Sequence, residues 1–334
     1  METGTIYVNA QGSRLTRVGE RLVIRSKENR IIEDVPFFRL VQVVVFGNVE
    51  LTGAAMGKLI KSGIDIIFLT ITGRFKYRLD NFNKSAIKCR LSQYQKSLDD
   101  AFRLKIARSI VKGKILNSKN WLVKRNRPAS ADVSASIWKL KSALEMTENA
   151  CSIDELMGIE GIAAKDYFSG LKHVLKQDLG FNERNRRPPR DPVNAMLSFG
   201  YMLLLNYVTS AIEQVGLDPM LANLHAVQDR RPSLALDLIE EFRCSVVDTV
   251  VTRLVNLVRI QPRDFFYDSR KGIRMREEAI GLFISEIQAR LRARFPDPVT
   301  KKQFSLKDLI VKQAYQYKSL ILNEKTDYQA VIIT

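Results

Sequence analysis

Up to about residue 80 the apolar positions of the chain alternate or cluster in short runs, GTIYV, RLVIR, VQVVVFG, VELT and DIIFL, set apart by Gly, Asn and charged turns. Runs of this length and period read as strands. Between VELT and DIIFL, the stretch TGAAMGKLIKSG has the apolar spacing of a short helix with Gly63 placed to end it, so the strands include at least one helical crossover. From about residue 85 the period lengthens to that of amphipathic helices, through KCRLSQYQKSLDDAFRLKIARSIVKGKILNSKNWLVKR, SIWKLKSALEMTEN, MLSFGYMLLLNYVTSAIEQ, LALDLIEEFRCSVVDTVVTRLVNLV and REEAIGLFISEIQARLRARF. Residues 182–194, NERNRRPPRDPVN, hold three prolines and so connect helices. The pattern predicts an α+β chain: a small N-terminal β-rich domain over 1–82, then a larger all-helical domain over 83–334.

Composition sharpens this picture. A chain of 334 residues is long for one core, and its 46% hydrophobic content fills two. Lys and Arg outnumber Asp and Glu by 53 to 36, a net charge of +17 that calls for a polyanionic partner. Basic residues gather at Lys112, Lys114, Lys119, Lys124, Arg125 and Arg127, again over 184–190, and at Arg290, Arg292 and Arg294. No unbroken apolar run reaches the roughly 18 to 20 residues that span a bilayer, so a membrane is not the expected partner. The N-terminus METGTIYVNAQG lacks a basic region followed by an apolar segment, and the expected location is cytoplasmic. Cys89, Cys151 and Cys244 form no CxxC and are expected as reduced core residues. The two histidines, His173 and His225, are the only imidazoles available to a site.

Within ALDLIEEFR, helical spacing puts Ala235, Leu238, Ile239 and Phe242 on one face and Asp237, Glu240 and Glu241 on the other. An acidic solvent face is the commoner explanation of such a pattern. In a strongly basic chain that must hold phosphates, the cluster gains a purpose if a divalent cation neutralises it. His225 can return to the same cleft through AVQDRRP if a helix starts near Ser233, a plausible N-cap, although a lone histidine is more often structural. Glu160 sits in GIEGIAAKDYF between two glycines that permit close packing or close substrate approach. His173 is expected to be structural or on the surface.

In this order, GIEGIAAKDYF, DPVNAMLSFGYMLL, GLDPMLANLH and RPSLALDLIEEFR resemble the CRISPR-associated adaptation (spacer acquisition) endonuclease and integrase, the universal first-numbered Cas protein. GTIYVNAQGSRL, GERLVIR, VVVFGNVELT, IDIIFLTITGRFKYRL and QYQKS look like the same family's β domain and exit helix, so the resemblance covers nearly the whole chain. It implies a β domain engaged in homodimerisation and one metal site held by a glutamate, a histidine and a second carboxylate, here Glu160, His225 and Glu240. Asp237 matches a further acidic position of the active site in some relatives. Oxygen donors with one imidazole suit Mg²⁺ or Mn²⁺.

The implied reaction is attack of a DNA 3′-hydroxyl on a phosphodiester of the CRISPR repeat, with nuclease activity when water attacks. Arg184, Arg186, Arg187 and Arg190 are the expected contacts to double-stranded DNA, both the captured prespacer and the repeat. The implied protein partners are a second copy of this chain and the small ferredoxin-like CRISPR-associated adaptation subunit. Three departures bear on loop geometry: Ala222 and Asn223 stand where relatives have Gly-Phe, Tyr77 where they often have Gly, and Arg230 opens an Arg-Arg-Pro where Gly-Arg-Pro is usual. They leave room for a catalytically silent DNA-binding scaffold. A basic helical RNA-binding protein is a third possibility, but no recognisable RNA-binding motif supports it.

Overall fold

A computed structural model describes residues 4–71, 73, 75–79, 86–127, 129–296 and 303–333. The chain divides into two compact units, Met1–Ser85 and Ala86–Thr334. The boundary expected between 82 and 83 lies outside the described residues.

The first unit contains β1 (Gly4–Val8), β2 (Arg14–Val18), β3 (Arg21–Arg25), β4 (Ile31–Pro36), β5 (Leu40–Phe46), β6 (Glu50–Leu51), α1 (Gly53–Lys61), β7 (Asp65–Leu69) and β8 (Phe75–Leu79). They form two four-stranded sheets, in the orders β1-β5-β7-β8 and β4-β3-β2-β6. β1, β5 and β7 are parallel, and the apolar runs at 43–46 and 66–69 are buried on both faces, as central parallel strands require. α1 makes the expected crossover. Thr52 caps its start by accepting from Ala55 N, and Gly63, at φ 67°, takes the left-handed turn after its end.

Three strands escaped the hydrophobic pattern, β2 (RLTRV), β4 (IIEDVP) and β8 (FKYRL). Each leaves most of its side chains in solvent, so alternation has little to act on. Tyr77, one of the departures from the family pattern, pairs across strands with Phe68, its ring stacked at 4.5 Å.

The second unit opens with α2 (Ile87–Ser97), α3 (Asp100–Arg125), α4 (Ala131–Asn149) and α5 (Ile153–Val174), of which the last three pack on one another. After the proline-rich connection comes α6 (Pro192–Gln214), entered through Asp191, which accepts from Asn194 N at 2.8 Å. By length and composition α6 is apolar enough to cross a membrane, which corrects the expectation that no segment is. Its most apolar stretch is 72% buried inside this unit, so packing accounts for the composition.

Then follow α7 (Ser233–Ile239), a π-helical turn (Cys244–Asp248), α8 (Thr249–Asn256), β9 (Phe265–Asp268), β10 (Gly272–Met275), α9 (Glu277–Arg292), β11 (Arg294–Pro296), β12 (Gln303–Ser305) and α10 (Leu306–Ile321). The unit is therefore mainly helical but not all-helical. Antiparallel β9–β10 and β11–β12 are too short to print a period on the sequence. Cys89 and Cys244 are buried as expected, whereas Cys151 is exposed.

Candidate active site

The segment read as one helix over LALDLIEEFRCSVVDTVVTRL is interrupted: α7 ends at Ile239, residues 240–242 turn, and the π-helical turn follows. Arg290 on α9 donates to Ser245 O at 2.6 Å, and Thr249 Oγ1 donates to Cys244 O at 2.9 Å, satisfying carbonyls within the irregular stretch. The break sends the three carboxylates in different directions. None faces solvent: Asp237, Glu240 and Glu241 are 0%, 3% and 0% exposed. The expected shared acidic face is thus replaced by three separate buried sites, because helical periodicity ends one residue before Glu240.

Glu240 lies between two cations. Arg243 Nη2 forms an ion pair with its Oε1 at 2.8 Å, and Lys114 Nζ on α3 lies 2.6 Å from Oε2. The same ammonium contacts Glu160 Oε1 from α5, so Lys114 bridges the two carboxylates. Burial alone would raise the Glu240 pKa. Arg243, Lys114 and His225 outweigh it and bring the carboxyl down to about 2.

His225 is held from the other side. Asp237 Oδ1 accepts from His225 N at 3.0 Å and faces Nδ1 at 2.7 Å, while Oδ2 accepts from Asn223 N at 2.6 Å and Leu224 N at 3.0 Å. A carboxylate so occupied acts as an orienting group. Because it accepts from the ring, Nδ1 carries a proton, and the ring is oriented with Nε2 on the side away from Asp237. Ser233 is the first residue of α7 rather than its N-cap, and its Oγ donates to Ala226 O at 2.9 Å to close the histidine loop. Asn223 is buried, with Nδ2 donating to Tyr317 Oη at 3.1 Å. Arg230 holds φ 62°, a left-handed conformation that glycine would adopt at less cost.

The expected site residues are thus brought together in two pairs, Glu160 with Glu240 and His225 with Asp237. Among the described residues, no three His, Cys, Asp or Glu side chains are gathered closely enough to hold a metal ion. The glycines beside Glu160 are not explained by close packing, since a methyl group at Gly158 or Gly161 would meet nothing. His173 is partly exposed, 3.6 Å from Asp132.

Other site residues were not singled out from sequence for this role. Tyr167 and Tyr201 both donate to the buried Asp248, at 2.7 and 2.6 Å. Burial, only partly offset by these donors and by Arg243 and Arg184, pushes Asp248 up to about 6. The guanidinium carbons of Arg243 and Arg184 lie 4.9 and 5.5 Å from the Tyr201 ring centroid. Arg243, three residues after Glu240, was open to a charge-spacing argument; nothing local in the sequence marks Lys114, Tyr167 or Asp248.

The family described as CRISPR associated protein Cas1 matches residues 6–289. The chain belongs to the Cas1 family. It is 34% identical over 310 residues to a CRISPR-associated endonuclease Cas1 of Thermus thermophilus, covering 92% of this chain and 90% of that one. A solved CAS1 protein from Thermotoga maritima superposes with a TM-score of 0.82 at 27% identity, covering 99% of each chain. A casposase solved with its integration product shares the fold, with a TM-score of 0.86, 22% identity, and 98% of this chain and 93% of that one covered.

In this Cas1-family chain the four arginines of the proline-rich connection divide into two groups. Arg184 is turned inward, donating to Asn194 Oδ1 at 2.7 Å and Ser198 Oγ at 3.0 Å, and burial lowers its pKa to about 10. That removes it from the surface set expected to meet DNA. Arg186, Arg187 and Arg190 are exposed, and Arg186 also lines the cavity beside Glu240, Lys114, Arg243 and Tyr201. From the other basic groups, Lys114 is half-buried in its carboxylate bridge and Arg290 is tied to the π-helical turn.

Proposed function

We propose that this Cas1-family chain is a divalent-metal-dependent DNA integrase and endonuclease of CRISPR adaptation. One observation carries the reading: carboxylates from α5 and from the turn after α7 meet on a single half-buried cation, Lys114 Nζ, near a histidine oriented by Asp237. A divalent cation held by these carboxylates would balance the charge that the ammonium balances here. Two carboxylates and an imidazole are a donor set that suits Mg²⁺ or Mn²⁺, with Glu160, Glu240 and His225 as the holding residues. Such an ion supplies Lewis acidity at the scissile phosphodiester and offsets charge on the leaving 3′ oxygen.

The remaining work falls to the chain. Asp237 orients the His225 ring, Arg243 keeps one Glu240 oxygen in place, and Arg186, Arg187 and Arg190 are the candidate backbone contacts. In the joining step a DNA 3′-hydroxyl gives up its proton and forms a new bond to phosphorus as the repeat's own 3′ oxygen leaves with its electron pair and takes up a proton. One phosphodiester replaces another, so no ATP is needed; water in place of the hydroxyl gives cleavage. The proposed partners are double-stranded DNA, a second copy of this chain engaged through the β unit, and the small ferredoxin-like adaptation subunit. The proposed location is the cytoplasm.

The separation of the donors into two pairs favours a second reading, a catalytically silent DNA-binding scaffold. One assay separates the two: integration of a short duplex with free 3′-hydroxyls into a supercoiled repeat-bearing plasmid, with the adaptation subunit present. Metal-dependent joining, lost in EDTA and in Glu160→Ala, His225→Ala and Glu240→Ala while DNA binding persists, is the expected result. Wild-type binding without joining under Mg²⁺ and Mn²⁺ gives the scaffold.

A further inference from the structure

Beyond α10 the chain leaves the helix and runs back along α3. Asn117 on α3 ties it there: Nδ2 donates to Val331 O at 2.7 Å and Oδ1 accepts from Ile333 N at 2.9 Å. The same Nδ2 donates to Glu241 O at 2.9 Å, so one amide joins the returning segment to the turn that carries Glu240. The Glu241 carboxylate points away from the site and accepts from Val331 N at 2.6 Å and from Tyr328 Oη.

A second link reaches the histidine. The Tyr328 ring packs edge-on against Tyr317, centroids 6.4 Å apart, and Tyr317 Oη is hydrogen-bonded to Asn223. Asn223 N in turn donates to Asp237, which orients His225. The segment therefore braces both halves of the site from behind. Helix α3 makes room for it at Gly113, where an added Cβ would collide with the Ala330 Cβ. Glycine is the poorest helix former after proline, and in the middle of a 26-residue helix it admits a close neighbour.

We infer that residues 328–333 form a strap that positions Glu240 and His225, with Tyr328 and Val331 as its positioning residues; this rests on the metal-site reading above. The strap touches neither donor. It fixes the backbone next to Glu240 through Glu241, and the histidine loop through Tyr317 and Asn223.

The test uses the full chain and a swap of one methyl group. Gly113→Ala drives a Cβ into Ala330, while adding Ala330→Gly removes the atom it would meet and leaves the Ala330 Cα at an ordinary 3.7 Å. Mn²⁺ affinity is measured by calorimetry, and amide exchange is followed over residues 222–225 and 240–243. Gly113→Ala is expected to weaken Mn²⁺ binding about tenfold to hundredfold, as loss of outer support does elsewhere, and to speed exchange in both segments. The double variant is expected to return to within about twofold of wild type.

Wild-type Mn²⁺ affinity and exchange in Gly113→Ala would overturn the strap alone, as would a loss that Ala330→Gly fails to restore. A wild-type chain that binds no Mn²⁺ would overturn the metal reading and the inference together. Tyr328→Phe, which removes only the hydroxyl facing Glu241, covers the case in which Gly113→Ala does not fold. It is expected to weaken Mn²⁺ binding and speed exchange at 240–243, and no change in either would overturn the proposal.

Discussion

The two units handle charge to different degrees. In the β unit, Leu15, Leu22, Val43, Leu59 and Ile66 make a dry interior, while ion pairs such as Arg14–Glu50 and Arg21–Asp34 lie in solvent. In the helical unit, Asp237, Glu240, Glu241 and Asp248 are buried among tyrosines, arginines and a lysine. The first unit builds its interior mainly from apolar groups, with the little-exposed Arg78–Asp65 pair as an exception. The second gives up some apolar packing to hold ionised groups in fixed places, an investment that chemistry explains and packing alone does not.

The largest test of this contrast is to cut one ion pair in each unit. Glu240→Gln leaves Lys114 and Arg243 facing an uncharged amide and is expected to lower stability by about 3 to 5 kcal/mol, with joining abolished. Arg21→Ala, at an exposed pair, is expected to cost under about 1 kcal/mol. Urea unfolding measures both, and equal losses would break the comparison.

The pH dependence comes next. Glu240, lowered from 4.5 to about 2, contributes stability that is present above its unfolded pKa and lost as pH falls from about 5 toward 2, up to about 3 kcal/mol. Glu241, raised from 4.5 to about 7 by burial, has the opposite sign. Its contribution is full below its unfolded pKa and lost as pH rises through about 7. Unfolding midpoints across pH 3 to 8 are expected to fall on both limbs, and Glu241→Gln is expected to flatten the neutral one.

DNA binding sharpens the contrast within the proline-rich connection. Neutralising Arg187 and Arg190 together is expected to reduce the slope of log affinity against log salt by up to about 2. Arg184→Gln is expected to lower the unfolding midpoint and leave that slope unchanged, since its guanidinium is engaged by Asn194 and Ser198. The smallest effect is reserved for Arg230→Gly: release of the left-handed conformation offsets the greater freedom of the unfolded chain, leaving a change within about 1 kcal/mol by thermal unfolding.

What could be read from sequence follows the same division. Strands β5 and β7 and helix α1 declare themselves because apolar periodicity decides them, and burial on both faces leaves continuous runs. Strand β4 is invisible to that argument because its side chains are mostly exposed. In the site, Glu160, His225 and Glu240 were found through motifs. Their surroundings were not, because Lys114 comes from a helix more than a hundred residues earlier than Glu240, and the interrupted helix after Ile239 redirects Glu240 and Glu241. Asp237 looked like a member of the acidic cluster, but its distance from the others is set by three backbone amides of the 223–225 loop.

Helix α6 carries a consequence for synthesis. Its apolar stretch would suit a bilayer, and the elements that wrap it, α7, α8, β10 and α10, all follow it in sequence. Emerging from the ribosome, residues 192–214 have no cover until those later segments have been made. For that interval the nascent chain displays an apolar segment that is open to aggregation until its packing partners arrive.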